Sequence, residues 1–156
     1  MCIRDRLESK SNDFIPGCRI IATGSGLSET LNGGYSEFAK IDSKLAYLIP
    51  KSFSSRLAAA IGTAGFTAAL AVYKMKINNQ IFSNRKIVVT GATGGVGSFA
   101  IILLNKLSAE IIAISGKDKQ HDYLLNLGAN DIINRFKICF IKWNGSKNFR
   151  FNQRDI

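Results

Sequence analysis

Residues that hold metals are scarce in this chain: its 156 residues include three cysteines and one histidine. Cys2, Cys18 and Cys139 share no metal-like spacing, and His121 does not complete a set with them, so no zinc site is expected. Long apolar runs are missing as well. The longest are interrupted well short of a membrane span, and the charged segment Met1 to Lys10 has no apolar signal-peptide core. The expectation is a cytoplasmic, soluble protein with no membrane partner. Acidic residues are outnumbered, 11 against 21 Lys and Arg, for a net charge of +10. That excess is spread along the chain, and no basic stripe with interleaved aromatics appears in the α/β core. It reads as a solvated surface, and nucleic acid is not expected as a partner. Internal repeats and low-complexity tracts are also absent.

What is present centres on Lys86 to Ile102, KIVVTGATGGVGSFAII. Ile87, Val88, Val89 and Thr90 read as a buried parallel strand. Gly91, Gly94, Gly95 and Gly97 form a turn, and Val96, Phe99, Ala100, Leu103 and Leu104 lead a helix. The spacing Gly91-x-x-Gly94-x-x-Gly97 departs from the plain dinucleotide fingerprint, but the chemistry is the same. Glycines permit a sharp turn, close approach of a pyrophosphate and tight helix–strand packing, with free N–H groups of the helix start facing the anion. Glu110 to Ser115 supplies a second strand at the usual βαβ distance. Asp118 is then expected to cap a helix to Leu127 with Gly128 as its C-cap, and Asn130 to Asn134 reads as a third parallel strand.

With 46% hydrophobic residues the chain can bury a core, and length alone suggests one domain, yet it reads as parts of two. Residues 1–13 lack periodicity and read as disordered or extraneous. Residues 14–50 hold a turn at Pro16-Gly17, a strand at Arg19 to Thr23, a loop at Gly24 to Asn32, a strand at Gly33 to Phe38 and another at Ala46 to Ile49. Pro50 ends that β segment. Residues 51–135 open with a helix capped by Ser54 or Ser55 and running through Leu57 to Ile61. A second helix follows from about Gly65, burying Phe66, Ala69, Leu70, Val72 and Tyr73 and ending at Asn78-Asn79.

Three stretches together resemble the medium-chain dehydrogenase/reductase superfamily in its zinc-free, quinone-oxidoreductase-like branch. They are Gly33-Gly34-Tyr35-Ser36-Glu37-Phe38, Gly62-Thr63-Ala64-Gly65-Phe66-Thr67-Ala68 and Thr90-Gly91-Ala92-Thr93-Gly94-Gly95-Val96-Gly97-Ser98. The wording is similar to that of the NADPH-dependent acryloyl-CoA reductase group, over about Phe14 to Arg135. The resemblance implies an α/β fold: a partial doubly wound (Rossmann) parallel sheet, preceded by a remnant of an antiparallel GroES-like β domain. It also implies that Gly91, Thr93, Gly94, Gly95, Val96 and Gly97 hold the cofactor pyrophosphate, with Thr63 and Thr67 near the nicotinamide and its ribose.

The end of the second strand bears on cofactor choice. An NAD enzyme usually places a carboxylate there for the ribose hydroxyls, and a carboxylate repels a 2′-phosphate. This chain has Ser115, then Lys117, with Arg135 after the third strand. A hydroxyl and two cations suit NADPH. The implied reaction is zinc-independent hydride transfer to the β-carbon of an enoyl-CoA, or to a quinone. Tyr35, Tyr123 and His121 are considered as proton donors and read as structural or surface residues, which leaves the catalytic residue unknown.

The resemblance is incomplete. Most of the β domain and the far half of the doubly wound sheet are missing, and residues 136–156 form an aromatic, basic, off-pattern tail. A fragment of a longer reductase is expected, with a non-catalytic nucleotide-binding piece as the competing reading. Superfamily members often pair as homodimers through the cofactor-domain sheet edge, but the segment expected to do so is not here.

Overall fold

The structure, a computed structural model, describes residues 2–5 and 12–137. It divides into two compact units, one through Leu70 and one from Ala71.

The second unit is a three-stranded parallel sheet in the order β4-β5-β6, with β4 at Lys86–Thr90, β5 at Glu110–Ser115 and β6 at Asp131–Asn134. Helix α2 (Gly95–Lys106) links β4 to β5, and α3 (His121–Leu127) links β5 to β6. Lys86 pairs with Glu110 at one end of the β4–β5 register and Thr90 with Ile114 at the other. Because each crossover restarts its strand at the same end, the turns after β4, β5 and β6 all emerge on one side, where α/β sheets bind ligands. The core is built from Val89, Ile101, Leu104, Ile111, Ala113 and Leu124. Ile101, Ile111 and Leu124 are fully buried.

Three local expectations shift here. β4 was expected to be buried throughout, yet only Val89 is buried and Val88 is 37% exposed. Among the described residues β4 is an edge strand, so its second face is open. Of the row expected to lead α2, Leu104 is buried and Ala100 packs on the core, while Val96 is exposed and Phe99 and Leu103 are half-buried; the rest of the buried face is Gly97, Ser98 and Ile101. With apolar residues on several sides, the sequence does not set the rotation of this helix, and the close approach of Gly97 does. Asp118 caps nothing: a single 3-10 turn at Asp118–Gln120 precedes α3, whose first residue is His121. Gly128 does serve as the left-handed C-cap, with φ 108°.

The first unit holds an antiparallel sheet in the order β1-β2-β3, formed by Cys2–Asp5, Arg19–Ala22 and Ala46–Leu48. β1 is a correction, since the first residues were read as outside the fold. Cys2 pairs with Ala22 and Asp5 with Arg19, and backbone pairing of this kind needs no side-chain periodicity. Gly24 to Asn32 is the expected loop, closed by backbone bonds such as Thr30 N–H to Gly26 O at 2.9 Å. Gly33 to Phe38 is not a strand. It runs as bends and irregular backbone; Ser36 Oγ donates to Phe38 O at 2.6 Å, and Tyr35 and Phe38 are exposed. Short side chains that bond their own backbone compete with a ladder.

Helix α1 (Ser55–Ile77) joins the two expected helices across Gly62, whose φ of 43° and ψ of −148° are not helical. Ser54 is the N-cap: its Oγ accepts from Leu57 N–H at 3.1 Å. Asn79, at φ 55°, leaves the helix as expected. By length and composition α1 is apolar enough to cross a membrane, where the sequence reading found no such stretch. The break at Gly62 leaves neither arm with the roughly 20 continuous residues that a span requires. Its buried residues are Ala58, Gly65 and Ala68, while Phe66, Leu70 and Tyr73, expected inside, are exposed. The fully buried positions of α1 are small residues that permit close approach, while Val72 and Met75 pack partly buried against the core.

Candidate functional site

The glycine turn forms where β4 passes into α2. Gly91 takes φ 59°, and Gly94 N–H donates back to Gly91 O at 2.9 Å, tightening the loop before the helix. A Cβ on Gly97 would collide with the Gly91 carbonyl and stand 2.8 Å from Ala92 Cα, so this site admits glycine alone. Ser98 N–H is the first to find a helical acceptor, Gly94 O at 2.9 Å. The N–H groups of Gly95, Val96 and Gly97 therefore precede the helical ladder and carry the positive end of the α2 dipole. Gly94, Gly95 and Val96 are exposed and Thr93 is half-buried, which leaves this cradle open to a ligand.

The turns after β5 and β6 come together beside it. Ser115, 4% exposed, pairs in register with Asn134. Its Oγ accepts from Lys117 N–H at 3.1 Å. Arg135 follows β6, and its guanidinium lies 4.6 Å from the centroid of the Phe136 ring. The Arg135 side chain also crosses Gly116, where a Cβ would come within 2.7 Å of Nε. Ser115 and Lys117 thus stand at the end of β5 and Arg135 at the end of the adjacent β6. Among the described residues neither cation has a carboxylate partner. The nearest acid in the turn, Asp118, is engaged elsewhere: its Oδ1 accepts from Asn134 Nδ2 at 2.8 Å. The Asn134–Asp118 contact escaped the sequence reading, and nothing in residue spacing signals it.

Thr63 and Thr67 lie on α1 in the first unit. Thr63 Oγ1 is 2.8 Å from Thr23 Oγ1, and Thr67 Oγ1 donates to Thr63 O at 2.8 Å. Both residues are exposed. Tyr35 is fully exposed. The Tyr123 hydroxyl donates to Ser98 Oγ at 3.0 Å, and Ser98 Oγ donates onward to Ala92 O at 3.3 Å. That pair lines a hollow of about 220 Å³ between α2 and α3, bounded also by Thr93, Gly95, Phe99 and Ile102. His121 Nε2 stands 3.4 Å from Asp118 Oδ1 without hydrogen-bond alignment. Among the described residues no three His, Cys, Asp or Glu side chains gather as a metal set. Residues 138–156, most of the off-pattern tail, lie outside the described residues.

Known proteins share this arrangement. No protein-family model matches the chain. The acrylyl-CoA reductase AcuI of Ruegeria pomeroyi is 38% identical over 133 residues, covering 85% of this chain and 40% of that enzyme. The quinone-oxidoreductase-like protein YhfP of Bacillus subtilis is 40% identical over 127 residues, covering 80% of this chain and 38% of YhfP. Its crystal structure with NAD bound superposes with a TM-score of 0.76 over 86% of this chain and 41% of that one. The YhdH oxidoreductase of Salmonella enterica, solved with NADP, is 39% identical with a TM-score of 0.81, over 88% of this chain and 42% of that one. The chain spans about two fifths of the length of these relatives. With its glycine turn and parallel sheet, the chain is similar over that part of their length to quinone-oxidoreductase-like and acrylyl-CoA-reductase-like members of the medium-chain dehydrogenase/reductase superfamily.

Proposed function

We propose that this chain carries the adenosine-phosphate end of an NADPH site in a zinc-independent oxidoreductase that reduces an α,β-unsaturated acyl-CoA. The observation that carries the reading is the placement of Ser115, Lys117 and Arg135 at the ends of β5 and β6, with no carboxylate bound to either cation among the described residues. A ribose 2′-phosphate fits a hydroxyl and two unpaired cations, and Arg135 can present two parallel N–H groups to it. The cradle of Gly91, Thr93, Gly94, Gly95, Val96 and Gly97 fits a pyrophosphate, because Gly94, Gly95 and Val96 are exposed and the N–H groups at the start of α2 precede the helical ladder.

When bound, the cofactor supplies the hydride. This chain's residues bind and orient it: the N–H groups at the start of α2 take the pyrophosphate, and Lys117 and Arg135 take the 2′-phosphate. Thr63 and Thr67 are assigned to the nicotinamide ribose on the strength of the family resemblance. The acceptor is an enoyl thioester by similarity to the acrylyl-CoA reductase AcuI. A quinone is the second reading, supported by the similarity to YhfP.

Titrating the chain with NADPH and NADH, followed by nicotinamide fluorescence, tests the cofactor assignment. NADPH should bind about tenfold or more tightly than NADH, which corresponds to roughly 1.4 kcal/mol. Equal affinities would remove the phosphate site. Adding acrylyl-CoA or a quinone to the NADPH-loaded chain and following loss of the reduced nicotinamide then distinguishes the two acceptors. Tight NADPH binding with no oxidation by either would make this chain a nucleotide-binding piece without turnover.

A further inference from the structure

The two cations of the phosphate site sit on different turns, so something must hold those turns in register. Lys117 is anchored locally, through Ser115 Oγ. Among the described residues Arg135 has no comparable bond of its own; it rests on the Phe136 ring and crosses Gly116. One side chain ties the turns together. Asn134, the last residue of β6, donates from Nδ2 to Asp118 Oδ1 at 2.8 Å and accepts at Oδ1 from Phe136 N–H at 2.9 Å. The first bond joins the β6 end to the turn after β5. The second fixes the backbone on the far side of Arg135. The amide donates through Nδ2 while accepting through Oδ1, so alanine would lose both bonds and a carboxylate would lose the donor.

We propose that Asn134 is a specificity-determining positioning residue. Clamped to Asp118, it sets Arg135 over the end of β5 and so creates the preference for a cofactor bearing a 2′-phosphate. The proposal rests on the NADPH reading above. The same bond has an electrostatic consequence. Asp118 lies next to Lys117, and a carboxylate free to turn would weaken any phosphate site there; accepting from Asn134 holds it in the turn. The clamp therefore brings one cation into place and restrains the neighbouring anion.

The test uses the full chain in four forms: unaltered, Asn134→Ala, Asn134→Asp, and the exchanged pair Asp118→Asn with Asn134→Asp. Each is titrated with NADPH, NADH, 2′,5′-ADP and 5′-AMP. Asn134→Ala should weaken NADPH and 2′,5′-ADP by about fivefold while NADH and 5′-AMP stay within about twofold, the scale of one or two lost hydrogen bonds. Asn134→Asp should weaken them at least as much, because two carboxylates then face each other. The exchanged pair restores a donor opposite an acceptor at unchanged net charge, and should recover most of the NADPH affinity.

Equal loss for phosphorylated and unphosphorylated ligands would mean that Asn134 only supports the fold, and overturns the proposal. So would an unaltered preference in Asn134→Ala, or failure of the exchanged pair to recover affinity while far-UV circular dichroism shows it folded. If the unaltered chain itself shows no preference for NADPH, the phosphate-site reading fails first and takes this inference with it, an outcome distinct from the other three.

Discussion

Gly97 and Ala92 are in backbone contact across the glycine turn: a Cβ on Gly97 would stand 2.8 Å from Ala92 Cα and collide with the Gly91 carbonyl. The obstructing atoms are backbone, so no side chain can swing aside. Gly97→Ala should cost about 1–3 kcal/mol, as overpacking does, because α2 must move off β4. Urea unfolding checks this, with a lower midpoint at unchanged slope as the expected result. An unchanged midpoint would mean that α2 is not seated on the turn as described.

Leu124 and Leu125 provide a test of the rotation of α3. Leu124 is fully buried and Leu125 is 48% exposed, although they are adjacent in sequence. Leu124→Ala should destabilise by about 2–5 kcal/mol, the range for a buried leucine. Leu125→Ala should stay within about 0.5 kcal/mol, as exposed substitutions do. Thermal denaturation of the two variants side by side reads the difference, and a reversed order would put the wrong face of α3 on the sheet.

Tyr123→Phe removes one hydroxyl and little else. The lost bond is the one to Ser98 Oγ at 3.0 Å, and Ser98 keeps its own bond to Ala92 O. The expected cost is about 0.5–1.5 kcal/mol of stability, with NADPH affinity within about twofold of the unaltered chain. Fluorescence titration and thermal unfolding measure both. A loss of affinity without a loss of stability would place the Tyr123 hydroxyl on the ligand instead of on the scaffold.

Much of the second unit was legible because its cues are local. A β-branched run followed by closely spaced glycines leaves few alternatives to strand, turn and helix, and β4, the turn and α2 form accordingly. Gly128 and Asn79 end their helices with left-handed backbones, which short-range sterics already favour. The first unit was less legible. Gly33 to Phe38 has a strand's wording but runs as bends, and Cys2–Asp5 has no pattern yet pairs with β2. Strand formation depends on a distant partner, which composition does not encode.

The same division runs through the candidate site. The residue types of a phosphate site, Ser115, Lys117 and Arg135 with no acid among them, stand in the sequence and by themselves determine its charge. Their meeting is a tertiary fact: parallel pairing of β5 with β6 places Ser115 beside Asn134, and the Asn134–Asp118 bond then joins the turns that carry Lys117 and Arg135. The sequence by itself determined the local conformations and the chemistry on offer, since steric preference and side-chain charge act over a few residues. Only the tertiary structure decided which of those groups converge, which face of each helix is buried and which acid is restrained, because those outcomes depend on contacts between segments far apart in the chain.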